Sequence, residues 1–299
     1  MKPLARMLAA TDLSAPAHHA VDRGFRIAAE TGADYVVMHA FELDAIDSLV
    51  GLLGDGIAAV KRRLEDDSRL TLRQMLEDPR RNQGVAAEGM VVVGSALEAI
   101  GERADACDAD LLVVGARGES FLRHALLGST ASRLLRKSTR RPVLVVKQAP
   151  REPYRRLLVP VDFSRFAEEA IRLGCRIAPQ ADIVLLHAFE LPFEGKLAFA
   201  GVDEKVIHSY IRQAREDAVR RVHDLARAVG LEPDQYSAIV RHGDPSQQII
   251  AEEQAGDCDL IVMGKHGTHL TEELLLGSVT KHVLDESQCD VLVFSGKAG

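Results

Sequence analysis

Gly115-Ala-Arg-Gly118, nine further residues, then Gly128-Ser129-Thr130 form one stretch of this chain, and Gly264-Lys-His-Gly267, nine residues, then Gly277-Ser278-Val279 form another. Each follows an apolar run with an acidic start, residues 110–115 and 259–264, that reads as a buried strand. In each, the later glycine and its hydroxyl neighbour stand where a helix opens. A glycine at a strand end lets the backbone turn sharply and lets a ligand approach bare amides. The first amides of a helix have no partner within it and carry the positive end of its dipole, so they attract an anion such as phosphate. A single glycine pair of this kind is an ordinary strand-to-helix turn. Here the spacing occurs twice.

Outward from these stretches, the two halves run in parallel. A short apolar strand at 4–10 ends in Thr11-Asp12-Leu13-Ser14, and one at 157–161 ends in Asp162-Phe163-Ser164. Gly264 follows Gly115, and Gly277 follows Gly128, by 149 residues, while Asp162 follows Asp12 by 150, which marks an internal duplication. Ser14 and Ser164 are placed to cap helices running to about residues 31 and 179. Second strands follow at 35–40 and 183–188, apolar on both faces as central parallel strands are. After segments without a clear period, 41–56 and 189–201, come long charged amphipathic helices at about 57–77 and 203–229. Strands at 86–93 and 236–241 end at Gly94-Ser95 and Gly243-Asp-Pro-Ser246, which cap a third helix. The glycine stretch, a fourth helix and a last strand, 143–146 or 291–294, complete each half. Strands alternating with helices predict an α/β fold, one parallel sheet per half with helices on both faces. The prolines of 149–153 mark a linker, giving domains at 1–148 and 154–299.

A chain of 299 residues, 46% hydrophobic and 27% charged, has the length and composition of two ordinary globular domains. Its formal net charge of −7 argues against a nucleic acid or an anionic membrane as partner, since these are held by clustered basic faces. Basic runs at Lys61-Arg62-Arg63 and Arg220-Arg221 read as solvated helix faces. Cys107, Cys175, Cys258 and Cys289 lack the paired spacing of a zinc knuckle or redox dithiol and read as buried thiols of a reducing compartment. The apolar start of the chain is broken at Arg6 and stopped by Asp12, so it is expected to be fold rather than targeting segment. No run has the length needed to span a bilayer. A cytoplasmic location is expected.

The glycine spacing, the repeated Leu-Leu-Gly-Ser (126–129 and 275–278) and the Pro-Val-Leu-Val-Val at 142–146 resemble the nucleotide loop of the universal stress protein family, in its tandem, ATP-binding form. The resemblance covers nearly the whole chain, once per half. It implies two Rossmann-like domains of the adenine nucleotide alpha hydrolase type, each with five strands in the order 3-2-1-4-5. Ligands in such sheets bind outside the carboxyl ends of the strands where the order reverses. The reversal would bring Asp12 and Asp162 opposite Gly115 and Gly264. By the same resemblance, Asp12 and Asp162, with Thr11 and Val161 before them, lie beside adenosine, and the backbone of Ala40 and Ala188 meets the adenine. Gly115, Arg117, Gly118, Gly128, Ser129 and Thr130 match the phosphate and ribose loop, as do Gly264, His266, Gly267, Gly277, Ser278 and Val279. A carboxylate can accept from ribose hydroxyls or the adenine amino group, and amides and hydroxyls cradle phosphate oxygens. The alternative role for each aspartate is a cap on the following helix.

The expected cofactor is ATP, with magnesium left open, acting in a stress response. Neither a Walker loop nor a dinucleotide Gly-x-Gly-x-x-Gly occurs, and no base and nucleophile pair stands out, so a nucleotide-dependent regulatory switch is expected rather than an efficient enzyme. A slow ATPase is the neighbouring alternative. From other classes, His266, His269 and His282 are candidates for zinc, and the apolar segments 49–53 and 197–202 for a lipid or other hydrophobic ligand. Arg117, Arg123 and His124 against Glu119 make the first loop slightly more cationic than the second, where Lys265, His266 and His269 face Glu272 and Glu273. The resemblance also implies edge-to-edge pairing of the last strands, which a tandem chain can satisfy internally as a pseudo-dimer; a homodimer is left open.

Overall fold

The computed structural model describes residues 3–41, 57–116, 127–137, 141–191, 203–265 and 276–294. The chain divides into two compact units, Met1–Pro153 and Tyr154–Gly299.

The first unit contains β1 (Arg6–Thr11), α1 (Ala15–Thr31), β2 (Asp34–Phe41), α2 (Ile57–Glu77), α3 (Pro79–Asn82), β3 (Ala87–Val93), α4 (Ala96–Ala106), β4 (Leu111–Gly115), α5 (Ser129–Arg136) and β5 (Val143–Val146). The second contains β6 (Arg156–Pro160), α6 (Arg165–Ile177), β7 (Asp182–Phe189), α7 (Glu204–Ala228), β8 (Tyr236–His242), α8 (Pro245–Ala255), β9 (Leu260–Gly264), α9 (Ser278–Glu286) and β10 (Asp290–Phe294). Strand order is β3-β2-β1-β4-β5 in the first unit and β8-β7-β6-β9-β10 in the second, every described pair within each unit parallel. This is the expected α/β order 3-2-1-4-5, with the reversal between β1 and β4 and between β6 and β9.

The central strands are buried on both faces, which is why they read as continuous apolar runs: Met7, Leu8, Ala9, Val113, Leu157, Leu158 and Val262 are at most 1% exposed. Ends differ from expectation by a residue or two, for local reasons. β1 begins at Arg6 rather than at 4, where the Asp110 carboxylate accepts from the amides of Ala5 and Arg6 at 2.8 and 3.2 Å. Asp259 does the same for Arg155 and Arg156 at 2.9 and 3.0 Å, so the acidic start of each fourth strand anchors the first strand beside it. The helix expected to reach residue 179 ends at Ile177. α3, absent from the sequence reading, is set by Pro79 and by the Asp78 carboxylate accepting from the Arg80 amide at 3.0 Å.

Helix α1 is fixed at three places. Ser14 caps its start, Gly32 closes its end in the left-handed region at φ 71°, and Arg23 and Arg26 donate to the carbonyls of Glu152 and Pro150 in the proline-containing connector. Its middle passes over Tyr35, whose hydroxyl donates to the Val21 carbonyl at 2.9 Å. Gly24 makes that passage possible, since a Cβ there would lie 2.1 Å from the tyrosine oxygen and 2.3 Å from Cζ. Tyr35 is 2% exposed and edge-on to Phe25, so its ring has no free direction in which to yield. Gly24→Ala is therefore expected to destabilise the protein by about 2 kcal/mol despite the better helix propensity of alanine. Urea unfolding checks this; an unchanged or raised midpoint would contradict the packing account.

Candidate functional site

The carboxyl ends of the reversed strands converge on one construction in each unit. β1 stops at Thr11 and the chain turns through Asp12 and Leu13 into α1; β6 stops at Pro160 and turns through Val161, Asp162 and Phe163 into α6. Leu13 and Phe163 sit in the left-handed region, at φ 63° and 60°, which costs an ordinary residue about 1–2 kcal/mol. The turn is held by the aspartate: Oδ1 of Asp12 and of Asp162 accepts from the amide of Ser14 and of Ser164, both at 3.0 Å. The helix caps themselves are the serines. The aspartates thus shape the turn before the cap.

The two serines differ. The Ser14 hydroxyl donates to Asp12 Oδ1 at 2.6 Å and accepts from the Ala17 amide at 3.4 Å. The expected equivalent at Ser164 is not made: its hydroxyl is buried and finds no partner among the described residues.

Across the reversal, β4 and β9 end at Gly115 and Gly264, and α5 and α9 begin at Ser129 and Ser278 with Gly128 and Gly277 at the cap position. The Gly128 amide donates to the Ala116 carbonyl at 2.7 Å, and that of Gly277 to the Lys265 carbonyl at 3.0 Å. Each bond brings a helix start back to the end of a strand. Neither helix has a side-chain cap bond, so the amides of Ser129 and Thr130, and of Ser278 and Val279, open helices whose positive ends carry no side-chain acceptor at the cap.

In the second unit these parts enclose a crevice of about 340 Å³, inside the ~300–1,000 Å³ span of small-molecule sites. Val161, Asp162, Ala188, Gly264, Gly277, Ser278 and Val279, all singled out from the sequence, line it together. Added to them is an apolar wall that the sequence reading did not anticipate, with Ala167 and Ala170 of α6, Leu186 of β7, Pro245 and Ile249 of α8, and Met263 of β9. The Ala-x-x-Ala of α6 was the available signal, since small residues one helical turn apart leave room on that face. In the first unit, Thr11, Asp12, Ala40, Gly115, Gly128, Ser129 and Thr130 occupy the corresponding strand ends and helix start. Arg117, Gly118, His266 and Gly267 lie outside the described residues, as do His269, Arg123 and the segments 49–53 and 197–202.

Three further observations concern charge and thiols. Lys265, counted as a cation of the second loop, is only 2% exposed. Arg221, exposed as expected, also holds its guanidinium carbon 3.9 Å from the centroid of the Phe163 ring, a cation–π contact. The cysteines are free; Cys107, Cys258 and Cys289 are buried and Cys175 half-buried, and burial pushes the Cys258 thiol up to about 11, far from thiolate chemistry. Among the described residues no group of three or more His, Cys, Asp and Glu side chains is placed to hold a metal ion.

Behind the crevice stands a pair of histidines that the sequence reading passed over as part of apolar strands. His39 Nδ1 lies 2.9 Å from the Thr11 carbonyl and His187 Nδ1 2.8 Å from that of Val161. A carbonyl only accepts, so Nδ1 carries the proton in each. The His187 ring stacks between Phe163, at 4.3 Å, and Phe189, at 6.3 Å.

Comparison with known proteins agrees in both halves. The model of the universal stress protein family matches residues 4–147 and again 153–295. The universal stress protein MJ0577 of Methanocaldococcus jannaschii is 27% identical over 156 residues, 48% of this chain and 96% of its own. The universal stress protein Mb2019 of Mycobacterium bovis is 29% identical over 197 residues, 61% of this chain and 58% of its own. In fold, a crystal structure of a universal stress protein from Archaeoglobus fulgidus superposes with a TM-score of 0.64 at 20% identity, covering 97% of this chain and 98% of that one.

The stacked ring gives a pH prediction. Burial first, and Arg221 after it, hold the His187 imidazole below its ordinary value of 6.5, against the opposing pull of the Val161 carbonyl and Asp162. The unfolded chain therefore takes the proton first on acidification. Stability from the neutral ring is whole above about pH 6.5 and drains as pH falls through the lowered value. His18 is lowered too, by burial and Arg81, and stays in both proteins under comparison. His187→Asn is expected to lose less melting temperature than the wild type between about pH 7 and about pH 5. Calorimetric scans with equal acid sensitivity in the two proteins would contradict this.

Proposed function

The chain belongs to the universal stress protein family, and from that membership and the built crevice we propose that it binds an adenine nucleotide, ATP first among them, at the strand reversal of each half. The observation that carries this is the convergence of Asp162, Gly264, Gly277, Ser278 and Val279 on one crevice with an apolar wall. The parts divide the ligand between them. Amides at the start of α9 and the Ser278 hydroxyl suit phosphate oxygens; the carboxylate of Asp162 suits ribose hydroxyls; and the wall of Ala167, Ala170, Leu186 and Ile249 suits a flat base, with the backbone of Ala188 at its edge. The first half repeats the polar parts with Asp12, Gly115, Gly128, Ser129 and Thr130. Phosphates held by these amides bring their own magnesium requirement, since a polyphosphate carries the cation with it.

The bound nucleotide acts as a switch rather than a substrate. No described side chain pair in the crevice combines a nucleophile with a base, and Asp162 already holds the turn through Oδ1. A ligand shifts a conformational balance only by its difference in affinity for the two states, so regulation here means that one arrangement of the chain grips ATP more tightly. Four free cysteines accord with work in the reducing cytoplasm, and no described helix is long and apolar enough to cross a membrane.

Protein purified without added nucleotide, then denatured, is expected to release ATP at about one or two equivalents per chain, read by anion-exchange chromatography and mass spectrometry. In calorimetric titration, the Asp12→Ala, Asp162→Ala double variant is expected to bind ATP about tenfold to hundredfold more weakly, the usual consequence of losing a charged hydrogen-bond partner. Absence of both released nucleotide and ATP binding would overturn the nucleotide proposal. Steady turnover well above background, abolished in the double variant, would overturn the switch and leave an ATPase.

A further inference from the structure

We propose that His39 and His187 are positioning residues of the two crevices: each imidazole N–H clamps the carbonyl that immediately precedes the crevice aspartate and so fixes where its carboxylate points. This rests on the nucleotide proposal for what the carboxylate then meets.

The need arises from the way the first strand ends. Thr11 is the last residue of β1 in register with β2, and its partner in that register is His39. On the other side, Pro160 pairs with Leu186, Val161 still donates its amide to the Leu186 carbonyl at 2.8 Å, and His187 is the next residue along β7. Beyond these points the chain leaves the sheet through Leu13 or Phe163 in the left-handed region. The Val161 carbonyl lies past the last paired residue, Pro160, where a buried acceptor without a donor is costly, while the Thr11 carbonyl, at the last paired residue, gains a donor beyond those of the ladder. The strand's own side chain supplies one: Nδ1 of His39 at 2.9 Å and of His187 at 2.8 Å. That the same device stands in both halves, while the residues around it differ, makes it a requirement of the turn rather than of one core.

Its consequence for the carboxylate follows from the planar peptide. The carbonyl of Thr11 and the amide of Asp12 belong to one rigid plane, and so do those of Val161 and Asp162. Fixing the carbonyl sets the direction from which the aspartate side chain departs. The other end of the same side chain is set by the Ser14 or Ser164 amide, at 3.0 Å from Oδ1. Each carboxylate is thus held at its root by a histidine and at its tip by a turn amide. Pre-set groups of this kind raise affinity because the ligand does not have to order them.

The second unit adds a support that the first does not share. Phe163 lies against His187 and under Arg221, whereas Leu13 stands at the matching turn of the first half. His187 is packed between rings; His39 relies on Phe41, stacked at 5.7 Å, and on its own burial.

The test reads the full chain with its first crevice disabled by Asp12→Ala, so that only the second reports. His187→Leu, which keeps an apolar side chain but removes the donor, is expected to weaken ATP binding about tenfold by calorimetry. His187→Asn, whose amide N–H sits one bond beyond Cγ as Nδ1 does, is expected to restore it to within about threefold. Should the leucine variant not fold, His187→Gln, with its donor displaced by one bond, takes its place and is expected to be weak. Hydrogen exchange without nucleotide supplies a ligand-free readout: a peptide spanning 160–166 should exchange faster in the leucine variant and at the wild-type rate in the asparagine variant. Leucine and wild type alike in both readouts would overturn the proposal, and asparagine as weak as leucine would reduce the histidine to ring packing. If the chain with only Asp12→Ala binds no ATP while exchange responds as stated, the nucleotide proposal fails for this crevice and the histidine's hold on the strand end stands.

Discussion

The hydrogen bond from the Gly277 amide to the Lys265 carbonyl, at 3.0 Å, and its counterpart from Gly128 to Ala116, at 2.7 Å, decide where everything else in each half can work. Strand order alone opens a gap between the first and fourth strands, because their crossovers leave on opposite sides. It does not put anything useful in that gap. The glycine bond pulls a helix start down onto the strand end, so that its first turn borders the gap. The next turn is pinned as well, by Thr280 donating its hydroxyl to the Gly264 carbonyl at 2.9 Å. Glycine at the cap carries no side chain to compete for the amides of that turn.

How far the fold was legible in the sequence depends on how local each cause is. The strands, the long helix α2 and the order of elements follow from apolar runs and periodicity, and α2 spans Ile57–Glu77 as the period predicts. The glycine construction was legible because spacing and strand context are carried by one continuous segment and because it is written twice. The serines stand at the cap positions expected of them, and the aspartates, whose alternative role was a cap, instead accept from the Ser14 and Ser164 amides two residues on. What stayed hidden needs a partner far away in the chain. Nothing near Arg221 announces that Phe163 will lie under it, and Pro245 and Ile249 join the crevice only because α8, packed beside α9, starts at the carboxyl end of the sheet.

The histidines illustrate a third case, visible but misread. His39 and His187 sit inside runs that are otherwise apolar, Tyr35-Val-Val-Met and Ile183-Val-Leu-Leu, and each precedes an alanine. A buried polar residue recurring at one position of a duplicated strand signals a hydrogen bond that the strand itself cannot make. Backbone bookkeeping at the end of the first strand, rather than hydropathy, is where that bond would have been found.

The two halves share backbone devices and differ in the side chains set around them, and that difference has a direction. Ser14 spends its hydroxyl on Asp12, whereas Ser164 leaves its own unspent and Asp162 is more exposed. Phe163 and Arg221 make a charged stack at the turn where the first half has Leu13. Ala116 is replaced by the buried Lys265 at the hinge of the loop. Duplication fixes first what both copies need to stand: the anchoring carboxylates Asp110 and Asp259, the glycine closures and the histidine clamps. Once those are in place, side chains facing the crevice can diverge without cost to the sheet. The second half has diverged toward charge held by aromatic rings, which places a cation within one phenyl ring of the turn that carries Asp162 and ties that turn to α7, the element entering just after the second strand. In the first half Leu13 stands in place of Phe163 at that turn, so two sites built on one backbone plan need not respond alike to the same ligand.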